Sequence, residues 1–582
     1  MKKIINNIPD AVSDMLAGIV LAHPELELLP KYKVVQRKKL NAKKVSLISG
    51  GGSGHEPAHA GFVGTGMLDA AVCGDVFASP SQVQVYRAIK SVASDSGVLL
   101  IIKNYSGDLM NFQNAMHLAK LDGIDVDFVK VDDDIAVEDS LYTVGRRGVA
   151  GTIFVHKIAG AAAEKGKSLK EIKAIAEKVV KNSRTMGFAL TSCTVPAKGS
   201  PTFSLGETEM EYGVGIHGEP GIKREEVKGA EELANRMIDA IDKELGIQSA
   251  KSKVAVLVNG FGGSPLMELY ILNRFVAKHL LDKGVTIVRN MVGNYMTSLD
   301  MAGASVTVLK LDDELEQYLN DVCDTPGLKI DGPALLTEMP DVYVEDVVQD
   351  ANFEIETNRE YAKVTDKLTL ENIIYIVDAM SACIIRNETP FCDLDSHAGD
   401  GDFGMSVAKG FRQLKREYKS ILAQPDLDIG KFLEACSLVI MEHCGGASGP
   451  VWGSAFNAAG RSLRGAKSVD AKGFASALQA AVKGIQDMGE RSFGRGAVVG
   501  DKTLIDALVP CADAWSNAGD STDIKALFLK GAEAARQGAK STENIVARMG
   551  RAGTVGERSL GHPDAGAHAL GVIFTEIADL LE

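Results

Sequence analysis

The chain has 582 residues, of which 45% are hydrophobic and 24% charged, so we expect a folded protein of several domains and not a disordered chain. Its formal net charge of −14 argues against nucleic-acid binding, which needs a basic surface to neutralise phosphates. The eight cysteines contain no Cys-x-x-Cys pair, which excludes zinc-ribbon and thioredoxin sites. The sequence has no run of about eighteen apolar residues, so we expect no membrane span.

The first 330 residues alternate between short β-branched runs and segments with helical periodicity. Strands are predicted at Val45–Ile48, Val98–Ile102, Val126–Val131, Lys253–Val258, Val285–Val288 and Ser305–Leu309. Helices are predicted at Ser168–Ser183, Ala230–Leu245 and Pro265–Leu281. This alternation predicts an α/β domain with a mainly parallel sheet. Glycine-rich turns after two of the strands indicate two α/β halves.

The segment SGGGSGHEPAHAG follows the first predicted strand. It contains His55-Glu56-x-x-His59, the spacing of the zinc proteases, which requires both histidines on one helical turn. Pro57 would fall in the middle of that turn, where a proline is not tolerated. We therefore expect no zinc site, and we expect a helix that begins at Glu56 or Pro57 with His55 at its mouth.

Two further polar segments occur in this half of the chain. IIKNYSGD places Lys103, Tyr105 and Asp108 at or beyond the carboxyl end of a predicted strand, where open α/β sheets bind ligands. EYGVGIHGEPG places His217 among glycines, which leaves its ring accessible to a ligand. From the residues alone, a structural role for this histidine is the simpler interpretation.

Residues 331–366 are acid-rich and interrupted by prolines, which predicts an interdomain linker, with a long surface excursion as the alternative. Beyond them the strand-like runs disappear. Eight helices are predicted at Thr369–Ile385, Gly401–Glu417, Gly430–His443, Ser454–Arg464, Ala471–Met488, Thr503–Ala518, Ile524–Ser541 and Ala565–Leu581. This pattern predicts an all-α bundle whose chemistry lies in the connections at one end.

DLDSHAGDGDFG is the segment of the helical half with the clearest chemistry. It holds Asp393, Asp395, Asp400 and Asp402 within ten residues, and closely spaced carboxylates favour Mg²⁺. The spacing does not fit a calcium-binding EF-hand, and a solvated acidic turn is the alternative. Glycine-rich turns in GGASG, GDKT and GERSLGHPDAGA have backbone N–H groups that suit phosphates. No Walker sequence is present, so a nucleotide site here is not a P-loop.

In this order, DLDSHAGDGDFG, GGASGP, GDKT and GERSLGHPDAGA resemble the L domain of the dihydroxyacetone kinases. GGGSGHEP, KNYSGD and GVGIHGEPG resemble the K domain of the same family. The resemblance implies an α/β K domain at residues 1–330, a linker at 331–366 and an all-α, eight-helix barrel L domain at 367–582.

The resemblance also implies that the L domain binds ATP with two Mg²⁺ ions on Asp395, Asp400 and Asp402. The implied nucleotide contacts are Phe403, Gly404, Met405, Ser406, Ala447, Ser448, Gly496, Arg551, Asp564, Ala565 and Gly566. In the K domain it implies that His217 holds the substrate carbonyl as a hemiaminal. The implied substrate contacts are Gly52, Ser53, Gly54, His55, Lys103 and Asp108, with His55 and Asp108 as the acid–base pair.

The activity implied by the resemblance is ATP-dependent phosphorylation of the terminal hydroxyl of a short ketose, dihydroxyacetone in the first place. Glyceraldehyde, a tetrulose such as erythrulose, and additional cleavage of FAD to AMP and cyclic FMN are alternatives. Fusion of both domains favours free ATP over a phosphotransfer protein, and complete motifs in both halves argue against a regulatory module. A homodimer is a further implication. A cytoplasmic location is expected from scattered cysteines and the lack of a signal-peptide pattern.

Overall fold

The computed structural model describes residues 2–137, 145–219, 221–247, 252–336, 338–341, 354–519 and 521–582. The chain divides into two compact units, Met1–Tyr343 (unit 1) and Val344–Glu582 (unit 2). Within the described ranges, no helix is both long enough and apolar enough to cross a lipid bilayer.

Unit 1 alternates strands and helices. Its strands are β1 (Leu26–Leu29), β2 (Val34–Arg37), β3 (Ser46–Ser53), β4 (Ala70–Val76), β5 (Val98–Lys103), β6 (Val126–Val131), β7 (Ser183–Ala189), β8 (Glu209–Tyr212), β9 (Lys223–Glu226), β10 (Lys253–Gly260), β11 (Thr286–Gly293), β12 (Gly303–Leu311), β13 (Cys323–Asp324) and β14 (Lys329–Ile330). Its helices are α1 (Ala11–Ala22), α2 (Gln82–Val92), α3 (Ser106–Leu121), α4 (Thr152–Glu164), α5 (Leu169–Lys181), α6 (Ala230–Leu245), α7 (Leu266–Asp282) and α8 (Asp313–Asn320). All six predicted strands and all three predicted helices are present.

The first sheet has the strand order β1-β2-β4-β3-β5-β6. Its four consecutive strands β4, β3, β5 and β6 are parallel, as predicted, while β1 and β2 join antiparallel at the other edge. Helices α2 and α3 bury apolar side chains against one face of this sheet. The opposite face is covered by α4 and α5. The start of α5 is fixed by a capping box, in which the carboxylate of Glu171 accepts the N–H of Ser168 at 2.9 Å.

The second sheet has the order β11-β10-β12-β7-β8-β9 and corrects the prediction of mainly parallel strands. Only the β10–β11 pair is parallel; the other pairs are antiparallel. Alternate residues of β10 face different cores: Val256 packs with α6 and α7, and Leu257 packs into the core around α4. Both faces of β10 are therefore buried. Its continuous apolar run gives no information on direction, since parallel and antiparallel strands buried on both faces look alike in sequence.

The described part of unit 2 is helical apart from the short antiparallel pair β15 (Lys367–Thr369) and β16 (Ser468–Asp470). Its helices are α9 (Leu370–Arg386), α10 (Glu388–Asp395), α11 (Phe403–Leu422), α12 (Ile429–His443), α13 (Ser448–Ser462), α14 (Ala471–Phe493), α15 (Ile505–Ser516), α16 (Ile524–Ser541) and α17 (Ala565–Leu580). Each long helix contacts the next, and α17 returns to α9, which contacts α11. These eight helices close the predicted barrel around an apolar interior, with the short α10 outside the count.

The chain enters unit 2 through a buried anchor on α9. Oδ2 of Asp378 accepts the backbone N–H groups of Glu356 and Thr357 at 2.7 and 2.8 Å, and Oδ1 binds Nζ of Lys415 at 2.7 Å. Ala362 is fully buried in the core of this unit. The end of the predicted linker 331–366 is thus packed on unit 2, while its residues 342–353 lie outside the described part of the structure.

Candidate active site

Segments of unit 1 that are distant in sequence meet at the carboxyl end of the first sheet. β3 ends just before His55, and β5 ends at Lys103, close to Asp108 in the first turn of α3. His217 lies in the loop that follows β8 of the second sheet. His217 and Asp108 line the same pocket. Neighbouring parallel strands end at one edge of a sheet, and this edge is where such sheets bind ligands.

The rings of His55 and His217 are in contact. Their Nε2 atoms are 3.2 Å apart, and Nδ1 of His55 lies 2.7 Å from the carbonyl oxygen of Thr297. Because a carbonyl only accepts hydrogen bonds, neutral His55 carries its proton on Nδ1 and presents a lone pair at Nε2. Burial, together with the positive charge of Lys103, lowers the pKa of His55 well below its ordinary value. A proton that Nε2 of His55 shares with Nε2 of His217 is therefore weakly held.

Asp108 and Lys103 supply buried charges, since the two residues are only 3% and 1% exposed. Oδ1 of Asp108 accepts a hydrogen bond of 2.5 Å from Oγ of Ser79. Burial raises the pKa of Asp108, while Lys103 and Ser79 favour its carboxylate form. Burial lowers the pKa of Lys103, and the charge of Asp108 opposes that change. Because these opposing effects act on the pKa of Asp108 and its carboxylate lines a pocket, the carboxylate is suited to act as a proton acceptor.

The glycine-rich segment contributes one residue to the pocket wall. Gly52 lines the pocket. Oγ of Ser53 donates to the carbonyl of Gly74 at 2.7 Å, and the N–H of Gly54 donates to the carboxylate of Glu56 at 3.1 Å. The polar groups of Ser53 and Gly54 are therefore bonded within the protein.

The helix predicted to begin at Glu56 or Pro57 is wrong. The segment turns after His55 and forms only a short 3₁₀ helix at Ala60–Phe62. The carboxylate of Glu56 is bonded back to the chain, and its carbonyl accepts the hydroxyl of Thr297 at 3.0 Å. Partners from elsewhere in the fold thus take the hydrogen bonds that a helix would have supplied.

Three further residues contact the histidines; Tyr105 was expected at this strand end, whereas Phe77 and Glu219 were not predicted. The ring of Phe77 stacks on His55 with centroids 5.1 Å apart, and the ring of Tyr105 meets His217 edge-on at 4.7 Å. A carboxylate oxygen of Glu219 lies 3.1 Å from Nδ1 of His217. Glu219 could have been predicted from the sequence, because it is two residues from His217 in the same glycine-rich segment. Phe77 lies in a turn with no recognisable motif.

Three of the clustered aspartates come together in unit 2. Carboxylate oxygens of Asp395, Asp400 and Asp402 all lie within 4.8 Å of one another. Oδ2 of Asp395, at the end of α10, also accepts the N–H of Gly401 at 2.9 Å, which folds the acidic loop back on the helix. Hard oxygen ligands at the edge of an open cleft suit Mg²⁺, which retains water and phosphate oxygens in its coordination shell. These residues therefore fit a magnesium ion.

The amino termini of three helices meet at the same cleft. α11 begins after Asp402, α13 after Ala447 and α17 after Asp564. The first N–H groups of a helix have no partner inside the helix and lie at its positive end, so they bind phosphate well. α13 begins at Ser448, six residues earlier than predicted, which puts the GGASG turn directly at a helix start. The predicted residues that line the cleft are Phe403, Ser406, Ala447, Ser448, Asp564, Ala565, Gly566 and the three aspartates.

Asp564 is the strongly perturbed acid of this cleft. Burial raises its pKa to about 7, and the charges of Asp506 and Asp395 add to the increase against Lys502. Its Oδ1 caps α17 by accepting the N–H of Ala567 at 2.8 Å. A cation bound nearby would favour its carboxylate form.

Four predicted nucleotide residues are placed differently or not described. The side chain of Met405 is 56% exposed. Gly404 packs on α10, where a Cβ atom would lie 2.0 Å from the carbonyl oxygen of Glu388, so its need for glycine comes from helix packing. Gly496 lies against Gln486, and the side chain of Arg551 is outside the described part of the structure. Their contact with nucleotide stays a prediction.

Lys502 of the GDKT motif is bonded inside the protein. Its Nζ donates to the carbonyl oxygens of Thr542, Ser559 and His562 at 2.7, 2.5 and 2.7 Å. An ammonium group has three N–H donors, and all three are used here. Lys502 therefore holds the loop before α17 and has no N–H donor left for a phosphate.

The flat and apolar part of the cleft was not predicted. Leu504 and Met549 line it, and the rings of His397 and His562 stack at 3.8 Å within 2° of parallel. Apolar and aromatic surface of this kind suits the base of a nucleotide.

Two domain families match the chain in tandem. The Dak1 domain matches residues 17–327 and the DAK2 domain matches residues 397–579. The sequence is 54% identical over 322 residues to a protein of Lactococcus lactis, the PTS-dependent dihydroxyacetone kinase, dihydroxyacetone-binding subunit DhaK. This match covers 55% of the present chain and 96% of the relative.

Other relatives match along the whole chain. The sequence is 34% identical to the triokinase/FMN cyclase of Rattus norvegicus over 598 residues, covering 100% of this chain and 99% of the relative. It is also 34% identical to the L-erythrulose 1-kinase of Mycolicibacterium smegmatis over 587 residues, covering 100% of both. The crystal structure of the dihydroxyacetone kinase from C. freundii in complex with AMP-PNP and Mg²⁺ matches with a TM-score of 0.62 at 31% identity, over 99% of each chain.

Proposed function

The chain belongs to the dihydroxyacetone kinase family, and on this basis we propose that it is an ATP- and Mg²⁺-dependent kinase of the terminal hydroxyl of dihydroxyacetone. Relatives matched along the full length are kinases named for trioses and tetruloses, and the matched crystal structure carries AMP-PNP and Mg²⁺. The observation that carries the proposal is the shared pocket of His217 and Asp108, which are 109 residues apart in sequence.

We expect His217 to hold the substrate carbonyl as a hemiaminal. Reversible addition of a neutral imidazole to a ketone fixes a substrate that has few other groups to bind. It also excludes glycerol, which has no carbonyl. The Nε2 atom of His55 is 3.2 Å from that of His217, close enough to give a proton to the carbonyl oxygen as the Nε2–carbon bond forms. His217 is thus an anchor and not a phosphate carrier.

Asp108 fits the general base for the terminal hydroxyl better than His55 does. Asp108 lines the pocket, whereas His55 is fully buried and already in contact with His217. The raised pKa of Asp108, caused by burial, brings its basicity nearer to that needed at neutral pH. The Ser79 hydroxyl fixes one carboxylate oxygen and leaves the other for substrate.

Asp395, Asp400 and Asp402 would hold the two Mg²⁺ ions of the nucleotide, and the first N–H groups of α11, α13 and α17 would orient the phosphates. Bound Mg²⁺ offsets the charge on the β- and γ-phosphates. With Mg²⁺ on the aspartates, the phosphate oxygens would face the positive amino termini of the helices and would not be repelled by uncompensated carboxylates.

We also propose a homodimer formed through unit 1. Leu266, Met267 and Tyr270 at the start of α7 are 54%, 70% and 58% exposed, and Ile271 beside them is 44% exposed. Such a cluster of large apolar side chains is typical of a surface that another protein covers. Light scattering of the full chain and of a Met267→Glu variant tests this: a monomeric wild type contradicts it.

The activity is tested with purified protein, ATP and Mg²⁺ against dihydroxyacetone, D-glyceraldehyde, both enantiomers of erythrulose, and glycerol. We expect phosphorylation of the carbonyl compounds, with dihydroxyacetone used best, and no product from glycerol. A reaction that needs an added phosphotransfer system, or equal use of glycerol, contradicts the proposal. A parallel incubation with FAD tests the cyclase activity for which the rat relative is named.

A further inference from the structure

The carboxylate of Glu219 holds both the backbone and the ring of His217. Its Oε2 accepts the backbone N–H of His217 at 2.8 Å, and its Oε1 lies 3.1 Å from the ring Nδ1. Glu219 is 3% exposed, so the carboxylate has little access to water and depends on these partners. The neighbouring residues are built around it, because a Cβ atom on Gly215 would lie 2.0 Å from Oε2 of Glu219.

Buried positive charge compensates this carboxylate from behind. Burial by itself disfavours the anion, but the charge and hydrogen bond of His217 and the charge of Arg147 lower the pKa of Glu219 to about 2. Arg147 is fully buried and is fixed by Nε, which donates to Asp134 at 2.7 Å, and by Nη2, which donates to the carbonyl of Gly213 at 2.8 Å. Glu219 is therefore ionised at neutral pH, and both of its carboxylate oxygens are bonded to His217.

An ionised carboxylate only accepts hydrogen bonds, so the facing Nδ1 of His217 must carry a proton. In the neutral ring this leaves the lone pair on Nε2, the nitrogen that faces His55. We propose that Glu219 is the positioning residue that makes Nε2 the nucleophilic nitrogen of His217 and that offsets the positive charge of the ring once this nitrogen is bonded to substrate. This inference rests on the proposed ketose kinase function.

The proton balance of the addition follows from the same contacts. His55 donates Nδ1–H to the carbonyl of Thr297, so both Nε2 atoms point lone pairs at each other and one proton between them satisfies the pair. During addition the Nε2–carbon bond forms as the carbonyl π bond breaks, and the oxygen takes the shared proton as it leaves His55. His55 ends neutral, and the substituted ring of His217 keeps Nδ1–H and one positive charge beside Glu219. The total charge is unchanged.

The test compares Glu219→Gln with Glu211→Gln in the full-length protein. Glu211 is a matched control, because it is also a buried glutamate near the same loop and accepts the N–H of Gly221 at 3.0 Å without contacting His217. A glutamine amide can donate to Nδ1 and so favours the tautomer with the proton on Nε2. We expect kcat/KM for dihydroxyacetone to fall about ten- to hundred-fold in Glu219→Gln and to stay near wild type in the control.

Two spectroscopic measurements separate positioning from general damage. In ¹⁵N spectra of ligand-free protein near pH 8, wild type and control should carry the proton of His217 on Nδ1, and Glu219→Gln should shift it toward Nε2. With [2-¹³C]dihydroxyacetone, wild type and control should give a hemiaminal carbon signal that Glu219→Gln lacks. Glu219→Asp, which keeps the charge, should recover the tautomer and part of the rate.

The inference is overturned if wild-type His217 carries its proton on Nε2 in the neutral ring, a result that needs no variant to fold. It is equally overturned if folded Glu219→Gln keeps the wild-type tautomer and adduct. If the wild type binds and phosphorylates no ketose, the proposed function fails, whereas the ¹⁵N result still decides which nitrogen Glu219 protonates.

Discussion

The three hydrogen bonds of Lys502 give a direct test of how the cleft of unit 2 is held together. In Lys502→Met the side chain keeps its length but loses its charge and its donors, so the carbonyl groups of Thr542, Ser559 and His562 lose their partner. Lys502 is 2% exposed, so water cannot readily replace it. Leaving buried acceptors without a partner costs about 1–3 kcal/mol each, part of which is recovered because the ammonium group is no longer buried.

We expect a net loss of about 3–5 kcal/mol in the free energy of unfolding of unit 2, or roughly 6–20 °C in its Tm. Because the loop released by the substitution carries His562 and leads to Asp564, Mg-ATP should also bind more weakly. Unfolding is followed by calorimetry and by urea titration, and nucleotide affinity by isothermal titration. Lys483→Met is the matched control, since its ion pair with Asp487 is exposed and worth little.

Two results would refute this reasoning. If Lys502→Met unfolds like the wild type, the three hydrogen bonds do not hold the loop. If stability is unchanged but Mg-ATP binding is lost, the ammonium contacts phosphate directly and the motif acts as a phosphate-binding lysine. The expected result is the combination of lower stability and a smaller loss of nucleotide affinity.

Three other perturbations separate the roles of the remaining site residues. Asp400→Ala and Asp402→Ala should abolish Mg²⁺-dependent turnover in a protein that stays folded, because removing one acid relieves repulsion in the cluster. Asp395→Ala should lose turnover and also stability, since its carboxylate accepts the N–H of Gly401. Activity that persists in a metal-free preparation would contradict this. His217→Ala should bind Mg-ATP like the wild type, form no ¹³C-detected adduct and discriminate poorly between dihydroxyacetone and glycerol; an unchanged preference contradicts the hemiaminal. The pKa of Glu219 is about 2 in the folded protein, compared with an ordinary value of 4.5. Its carboxylate should therefore make the wild type about 3 kcal/mol more stable than Glu219→Gln above pH 4.5. This difference should shrink as the pH falls toward 2 in urea titrations, and a difference that is independent of pH would contradict it.

The sequence by itself determined the features whose cause is local. The predicted strands of unit 1 are short apolar runs, and the eight barrel helices have apolar residues at helical spacing, so composition and periodicity were sufficient. The cluster of Asp395, Asp400 and Asp402 was also readable, because these residues are within eight positions of one another. Proximity along the chain makes it easy for their carboxylates to meet, but it does not ensure it, since Asp393 is as near in sequence and is not part of the group.

Only the tertiary structure decided what depends on distant partners. The tautomer of His55 is set by Thr297, 242 residues away, and the three carbonyls that bind Lys502 are 40 to 60 residues away. The helix expected at Glu56 is absent for the same reason. The direction of the second sheet was likewise invisible, since strands such as β10 are buried on both faces. A hydrogen bond to a remote carbonyl leaves no trace in local composition, because every residue carries that carbonyl and only the fold selects which one is used.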